Sequence, residues 1–302
     1  MVKKYLSLIK FSHTIFAMPF ALIGFTLGIF SNTSVIPGWH SAIFPPQFDR
    51  SALGIKLLLV IICMITARSA AMAFNRYLDR AIDAKNPRTA IREIPAGVIS
   101  AKNALLFTIL SCLLFILATW FINQICFFLS PVALAVILGY SYTKRFTPLC
   151  HLVLGVGLSL APIGAYLAVT GNFDILPLFF SFAVICWVSG FDIIYSLQDE
   201  EFDRSQQLYS IPAWLGKASA LHVSEFLHLL SAASIIAAGY FGGFGILYWI
   251  GTLVFTGMLI YQHAVVKPHD LSRVNLAFMT ANGIASVIFA IFVIADLLIK
   301  YL

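Results

Sequence analysis

Charge is what this sequence has least of: 11% of its 302 residues are Asp, Glu, Lys or Arg, against about 25% in an ordinary soluble domain. With 60% of the residues hydrophobic, a water-soluble globular protein is excluded. So is a disordered chain, because apolar surface is abundant enough to offset the entropy of ordering. Paired cysteines are missing too. The five that occur, Cys63, Cys112, Cys126, Cys150 and Cys186, lie in or beside apolar stretches with no CxxC spacing, which makes them small hydrophobes and points to neither a disulfide framework nor a zinc site. A net charge of +6 would suit nucleic acid if the basic residues were gathered on one face. Here they punctuate apolar runs, so no nucleic-acid partner is expected and the charge reads as membrane topology.

No stretch is long and polar enough to make a soluble domain. A hydrocarbon core of about 30 Å takes about 20 apolar residues per helix, and nine such stretches run near 13–34, 54–77, 102–122, 126–143, 149–169, 175–197, 221–241, 245–265 and 277–299. Lys3 and Lys4 before the first would suit a signal peptide, but that stretch is too long for one and has no convincing small-residue cleavage site. The N-terminal segment and the 2–3, 4–5, 6–7 and 8–9 loops carry 3, 6, 2, 2 and 2 Lys and Arg residues. The opposite side has only Arg50, Lys56 and Lys300, and Arg68 lies inside the second stretch. The positive-inside rule then puts the N-terminus and those loops in the cytoplasm. The expected fold is an all-α integral membrane protein: a bundle of nine transmembrane helices forming one domain over 1–302, embedded in the lipid bilayer.

The few acidic residues are not scattered. Eight of thirteen fall in or just after two short windows. The first holds Asn75, Asp79 and Asp83, with Glu93 following; the second holds Asp192, Tyr195, Asp199, Glu200, Glu201 and Asp203. Steps of four place Asn75, Asp79 and Asp83 on one stripe of a helix, and Asp192, Tyr195 or Ser196, Asp199 and Asp203 on another. Like charges at that spacing repel, and at a helix C-terminus the macrodipole disfavours them further, so each cluster calls for a cation. Mg²⁺ suits the pattern, because it takes one or two carboxylates and keeps its other positions for water and phosphate oxygens. Two facing stripes can hold a diphosphate through bridging magnesium. Lys144 and Arg145, just after Tyr140 and Tyr142 at a span end, are the basic residues expected to share in binding it. Arg68 lies seven residues inside from Asn75, where a charge is costly and functional by default. A secondary transporter would also carry intramembrane charge, but these carboxylates gather at one membrane face and no inverted repeat is evident. A CDP-alcohol phosphotransferase would show a DxxDG signature, and neither Asp79 nor Asp83 is followed by Gly.

The NxxxDxxxD of Asn75, Asp79 and Asp83 resembles the first motif of the UbiA-type membrane prenyltransferases. Asp192, Tyr195, Asp199 and Asp203 resemble the second, D..Y...D...D. Arg68, the Arg88-Thr89 pair with Arg92, and Tyr140 with Lys144-Arg145 match the family too, so the likeness covers nearly the whole chain. The sequence departs where the family often has Arg-Pro-Leu, here Arg92-Glu93-Ile94-Pro95, and where it often has a first-span Arg, here near His13. The text around Lys10–Thr14 and Arg88–Gly97 is similar to the branch serving bacterial quinone synthesis, and hence to a cytoplasmic (inner) membrane enzyme with its active site facing the cytoplasm.

The resemblance implies Mg²⁺ held by Asp79, Asp83, Asp199 and Asp203, a polyprenyl diphosphate also bound by Asn75, Lys144 and Arg145, and a prenyl chain lying in an apolar tunnel. The first prenyl carbon passes to the ring of an aromatic acid acceptor. Asp192 is the expected catalytic residue that orients the acceptor or steadies the allylic cation, and Arg68 the one that pairs with the acceptor carboxylate, since a guanidinium matches a carboxylate in bidentate fashion. 4-Hydroxybenzoate and a dihydroxynaphthoate both fit such a clamp. Chain length, protein partners and oligomeric state are not specified, and His13 and His151 take no role.

Overall fold

The computed structural model describes residues 2–9, 16–30 and 53–301; His13, Arg50 and the flanks of the first apolar stretch lie outside them. Twelve helices follow in order: α1 Val2–Leu8, α2 Met18–Ile29, α3 Leu53–Asp83, α4 Ala101–Ile122, α5 Gln124–Thr143, α6 Cys150–Thr170, α7 Ile175–Ser196, α8 Glu200–Ser205, α9 Ile211–Leu215, α10 Lys217–Phe241, α11 Ile246–Val265 and α12 Asn282–Tyr301. The described residues contain no strand beyond one isolated bridge, Lys267 with Asp270. Seven of the described helices are long and apolar enough to cross a membrane. The shorter α2 and the 20-residue α11 stand at the other two apolar stretches.

Turns between helices are tight because single side chains close them. Asn123 ends α4 with its N–H on Thr119 O and opens α5 by accepting from Cys126 N. Ser100 and Asp174 cap α4 and α7, and Gly171 takes the left-handed conformation after α6, as helix ends require. The most buried long helix is α7, packed between α6 and α10. Water-driven burial does not distinguish helix neighbours in lipid, where small residues and interhelical hydrogen bonds hold them instead. Accordingly Ser224, Ser231 and Ser234 of α10 donate to the carbonyls of Gly190, Ala183 and Phe179 on α7. An aromatic core of Phe20, Phe180, Trp187, Tyr248, Phe255 and Phe289 joins α2, α7, α11 and α12.

The contact of α2 with α6 is equally close: a Cβ at Gly24 would fall on the backbone carbonyl of Pro162. Gly24→Ala is therefore expected to destabilise the bundle by about 1–3 kcal/mol, the usual cost of overpacking. The exposed Gly257, with nothing near its absent Cβ, should tolerate alanine. Thermal unfolding in detergent checks both.

Two departures from the sequence reading concern the motifs. The second acidic stripe is not one regular helix: α7 stops at Ser196, a 3₁₀ turn covers Leu197–Asp199, and α8 restarts at Glu200. Ser196 Oγ and Gln198 Nε2 donate to the carbonyls of Ile193 and Tyr195 freed there. The restart puts Glu200, Glu201 and Asp203 in a first helical turn, where the dipole favours acids, and so relieves the penalty a continuous helix would impose. The second departure is a π turn, Leu276–Ala281, ahead of α12. The buried Asn282 holds it open, donating to Ala277 O and Phe278 O while its Oδ1 accepts from Trp187 Nε1 and Gln262 Nε2. Phe278 then lies against Tyr195 of the second motif, ring centroids 4.3 Å apart.

Candidate active site

Helix α3 runs unbroken to Asp83, so Asn75, Asp79 and Asp83 share one face as their spacing requires. Asp79 is 2% exposed. Its Oδ1 accepts from Arg145 Nη2 at 2.7 Å, and its Oδ2 from Asn75 Nδ2 at 3.1 Å with Lys144 Nζ 3.4 Å away. The end of α5 thus delivers both predicted cations to the first motif. Asp83, also buried, pairs through Oδ1 with Arg92 Nη1 at 2.7 Å, while its Oδ2 is buried with no partner.

The segment after α3 crosses to the second motif. Asn86 Nδ2 donates to Asp199 Oδ1 at 3.1 Å, and Arg88 grips both oxygens of Asp199, with Nε at 2.9 Å from Oδ1 and Nη2 on Oδ2. Nη1 of Arg88 donates to the Tyr195 hydroxyl at 3.0 Å, and the guanidinium lies over that ring. Burial by itself would lower the Arg88 pKa, but the hydrogen bonds and charge of Asp199 outweigh it and hold the group above its ordinary value. Asp203 is buried on α8, under the field of Lys144 and bonded to Ser210. Asp192, one helical turn above Tyr195, receives a 2.7 Å hydrogen bond from His151.

The metal residues expected from the sequence therefore stand as two pairs, Asp79 and Asp83 on α3, and Asp199 and Asp203 on the 3₁₀ turn and α8. Asp79, Asp83 and Asp199 are each turned to a cation of their own. Among the described residues no three acidic, histidine or cysteine side chains converge closely enough to hold a metal ion. The interposed guanidinium and ammonium groups are the physical reason.

Deeper along α3, Arg68 sits in the wall of a cavity of about 390 Å³ lined mainly by α3, α4, α5 and α6. Its Nε is buried with no partner. Tyr140 lines the same cavity and lies within electrostatic reach of Arg68, Asp79 and Asp192, so it stands where the cavity meets both motifs. The remaining wall is almost wholly apolar, with side chains such as Val60, Met64, Phe115 and Leu158.

The family model of UbiA prenyltransferases matches residues 34–284. The chain belongs to the UbiA prenyltransferase family. It is similar to the 4-hydroxybenzoate octaprenyltransferase of Tolumonas auensis, 29% identical over 252 residues that cover 83% of this chain and 86% of that protein. The solved structure of a UbiA homologue from Aeropyrum pernix K1 superposes with a TM-score of 0.77 at 30% identity, covering 96% of this chain and 98% of that one. A UbiA homologue from Archaeoglobus fulgidus, solved bound to GPP and Mg²⁺, shares the fold with a TM-score of 0.66 at 17% identity, covering 97% and 99%.

Around the aspartates of this UbiA-family prenyltransferase stand more residues than sequence reading assigned. Arg88 and Arg92 carried the family likeness but no role, because six basic residues crowd that loop and the positive-inside rule accounts for any of them. His151 looked like an isolated histidine beside a span. Its partner lies 41 positions away, beyond any local spacing. Asn86 gave no signal, and Arg76 counted only as one of the basic residues crowding that loop; it is 5% exposed, with its Nε unpaired.

Proposed function

We propose that this prenyltransferase moves a polyprenyl group from its diphosphate to the ring of a hydroxylated aromatic acid in bacterial quinone synthesis, with 4-hydroxybenzoate as the first candidate acceptor. The reading rests on one juxtaposition: the two aspartate motifs and their cations Arg88, Arg92, Lys144 and Arg145 stand beside an apolar cavity with Arg68 in its wall. The names of curated relatives support benzoate. A dihydroxynaphthoate carries the same carboxylate and hydroxyl and is the second acceptor to test. Nine spans in one domain, with the N-terminus and the site at the cytoplasmic face of the inner membrane, complete the proposal.

The donor set fits magnesium: hard carboxylate oxygens, the Asn75 amide, and an Asp83 Oδ2 buried with no partner in the protein. The Archaeoglobus homologue solved with GPP and Mg²⁺ supports the same ion. Asp79, Asp83, Asp199 and Asp203 would hold it, and there it would supply Lewis-acid stabilisation of the charge on the departing diphosphate.

The chain's own groups account for the rest. Asn75, Lys144 and Arg145 offer donors to diphosphate oxygens from one side, and Arg88 and Arg92 from the other. When the C1–O bond breaks with its electron pair on the diphosphate, the allylic cation lies among apolar walls that exclude water and so prevent loss to an alcohol. The acceptor carbon ortho to the hydroxyl attacks C1, and the ring C–H proton passes to the released diphosphate, which restores aromaticity. Arg68 fixes the acceptor carboxylate, and Asp192 orients the acceptor or steadies the cation.

Membranes containing the protein should transfer label from polyprenyl diphosphate to one of the two acid acceptors. EDTA should abolish the transfer and added Mg²⁺ restore it. Transfer that survives EDTA would remove the metal from the mechanism. Solute uptake into proteoliposomes without any transfer would point to a transporter.

A further inference from the structure

Asp192 makes no ion pair with the cations supplied by the end of α5 or by the segment after α3; its partner is His151. His151, on the first turn of α6 and 3% exposed, receives the backbone N–H of Ile211 on Nε2 at 3.3 Å. With Nε2 accepting, the neutral ring carries its proton on Nδ1. That proton is donated to Asp192 Oδ2 at 2.7 Å. Ser189 Oγ, which donates to Ile185 O at 2.6 Å, also lies 3.1 Å from the carbonyl of His151 and packs α7 against that turn. The result is a chain of bonds from Ile211 N–H through the imidazole to Asp192, whose Oδ1 takes no hydrogen bond from another described residue. Rotation of the carboxylate about χ2 would break the bond to Nδ1, so Oδ1 is held in one direction. Ile211 opens α9, in the segment that follows the second motif. Seating of that segment and the aim of Asp192 therefore depend on the same ring.

We propose that His151 is a positioning residue for the transfer reaction, locked as the Nδ1–H tautomer by Ile211 so that Asp192 presents Oδ1 to the aromatic acceptor. The inference rests on the acceptor reading above, but half of its test does not need activity. An asparagine amide can stand where Nδ1–H stands, whereas a glutamine amide reaches toward Nε2 and leaves Asp192 without its donor. His151→Gln and His151→Ala should lower kcat by about a hundredfold, the scale of a misplacement near 1 Å, and raise KM for the acceptor with little change in KM for the prenyl diphosphate. His151→Asn should recover most of kcat. In an Asp192→Ala background, His151→Ala should cost nothing further. Equal losses in the Asn and Gln variants, with both KM values unchanged and lower melting temperatures, would reduce His151 to a structural residue. Independently, ¹⁵N spectra of histidine-labelled protein should show one imidazole protonated at Nδ1, perturbed by Asp192→Ala. A His151 resonance protonated at Nε2 would overturn the proposal. Failure of the wild type to prenylate either acceptor would instead refute the acceptor reading, and the tautomer would still decide this one.

Discussion

Asp199→Asn is expected to lower prenyl transfer by about a thousandfold while leaving the melting temperature nearly unchanged. The two parts have different physical origins. Asp199 and Arg88 are 18% and 30% exposed, and partly solvated pairs contribute roughly 0–1 kcal/mol. Function depends instead on the charge that Asp199 brings to the diphosphate end of the site, and loss of one preorganised electrostatic group typically costs about 10²–10³ in rate. Asp83→Asn supplies the contrast. Asp83 is 5% exposed and its partner Arg92 22%, so the amide leaves a half-buried guanidinium without its counter-charge. About 1–3 kcal/mol of stability should go with the activity, less than the roughly 3–5 kcal/mol of a fully buried pair because Arg92 keeps some solvent. Initial rates at saturating substrates and thermal unfolding of the same detergent preparations measure both terms. A large fall in melting temperature for Asp199→Asn with normal transfer would assign that residue to structure alone.

The legibility of this protein follows from its scarcity of charge. In a chain so apolar each acidic residue needs a reason, and Asn75, Asp79, Asp83, Asp192, Asp199 and Asp203 could be picked out by spacing alone. Hydropathy located the apolar stretches, but it reported only the part of a helix that lipid would cover. The second stretch appeared to end near residue 77, whereas α3 continues to Asp83, carrying its polar last turns beyond the apolar run. The missing part of the site is its pairing. Arg88 reaches Asp199 across 111 positions and Arg145 reaches Asp79 across 66, and no periodicity encodes contacts of that range.

The breaks in regular helix were hidden for a related reason. Both the 3₁₀ turn before α8 and the π turn before α12 depend on which side chain takes up the carbonyls they free. Asn282 does so for the π turn from a position fixed by Trp187 and Gln262 on other helices, which its own neighbours in sequence do not disclose. Phe278 against Tyr195 shows the consequence: the far end of the chain sets the surroundings of the residue that holds Arg88.

Arg68→Ala should separate acceptor binding from diphosphate binding, and it should do so without loss of stability. Arg68 lies about 10 Å along α3 from Asn75, at 1.5 Å per residue, within the apolar cavity and with no hydrogen bond or ion pair to another described residue. An unpaired guanidinium inside a span costs roughly 2.5–3.5 kcal/mol on insertion scales, so its removal should leave the melting temperature unchanged or raise it. Its proposed role is a charge-assisted bidentate bond to the acceptor carboxylate, and such bonds contribute about 1.5–3 kcal/mol. Alanine should therefore raise KM for the acceptor about 10- to 100-fold with little effect on KM for the diphosphate. Lysine should rescue only part of this, because a point charge cannot meet both carboxylate oxygens in the plane. An acceptor ester lacking the negative charge should bind the alanine variant about as well as the wild type. The reverse pattern, with KM rising for the diphosphate and not for the acceptor, would move Arg68 to the leaving-group side of the site. It would also leave the acceptor carboxylate to be met by Arg76, the other buried arginine of α3 with an unpaired Nε.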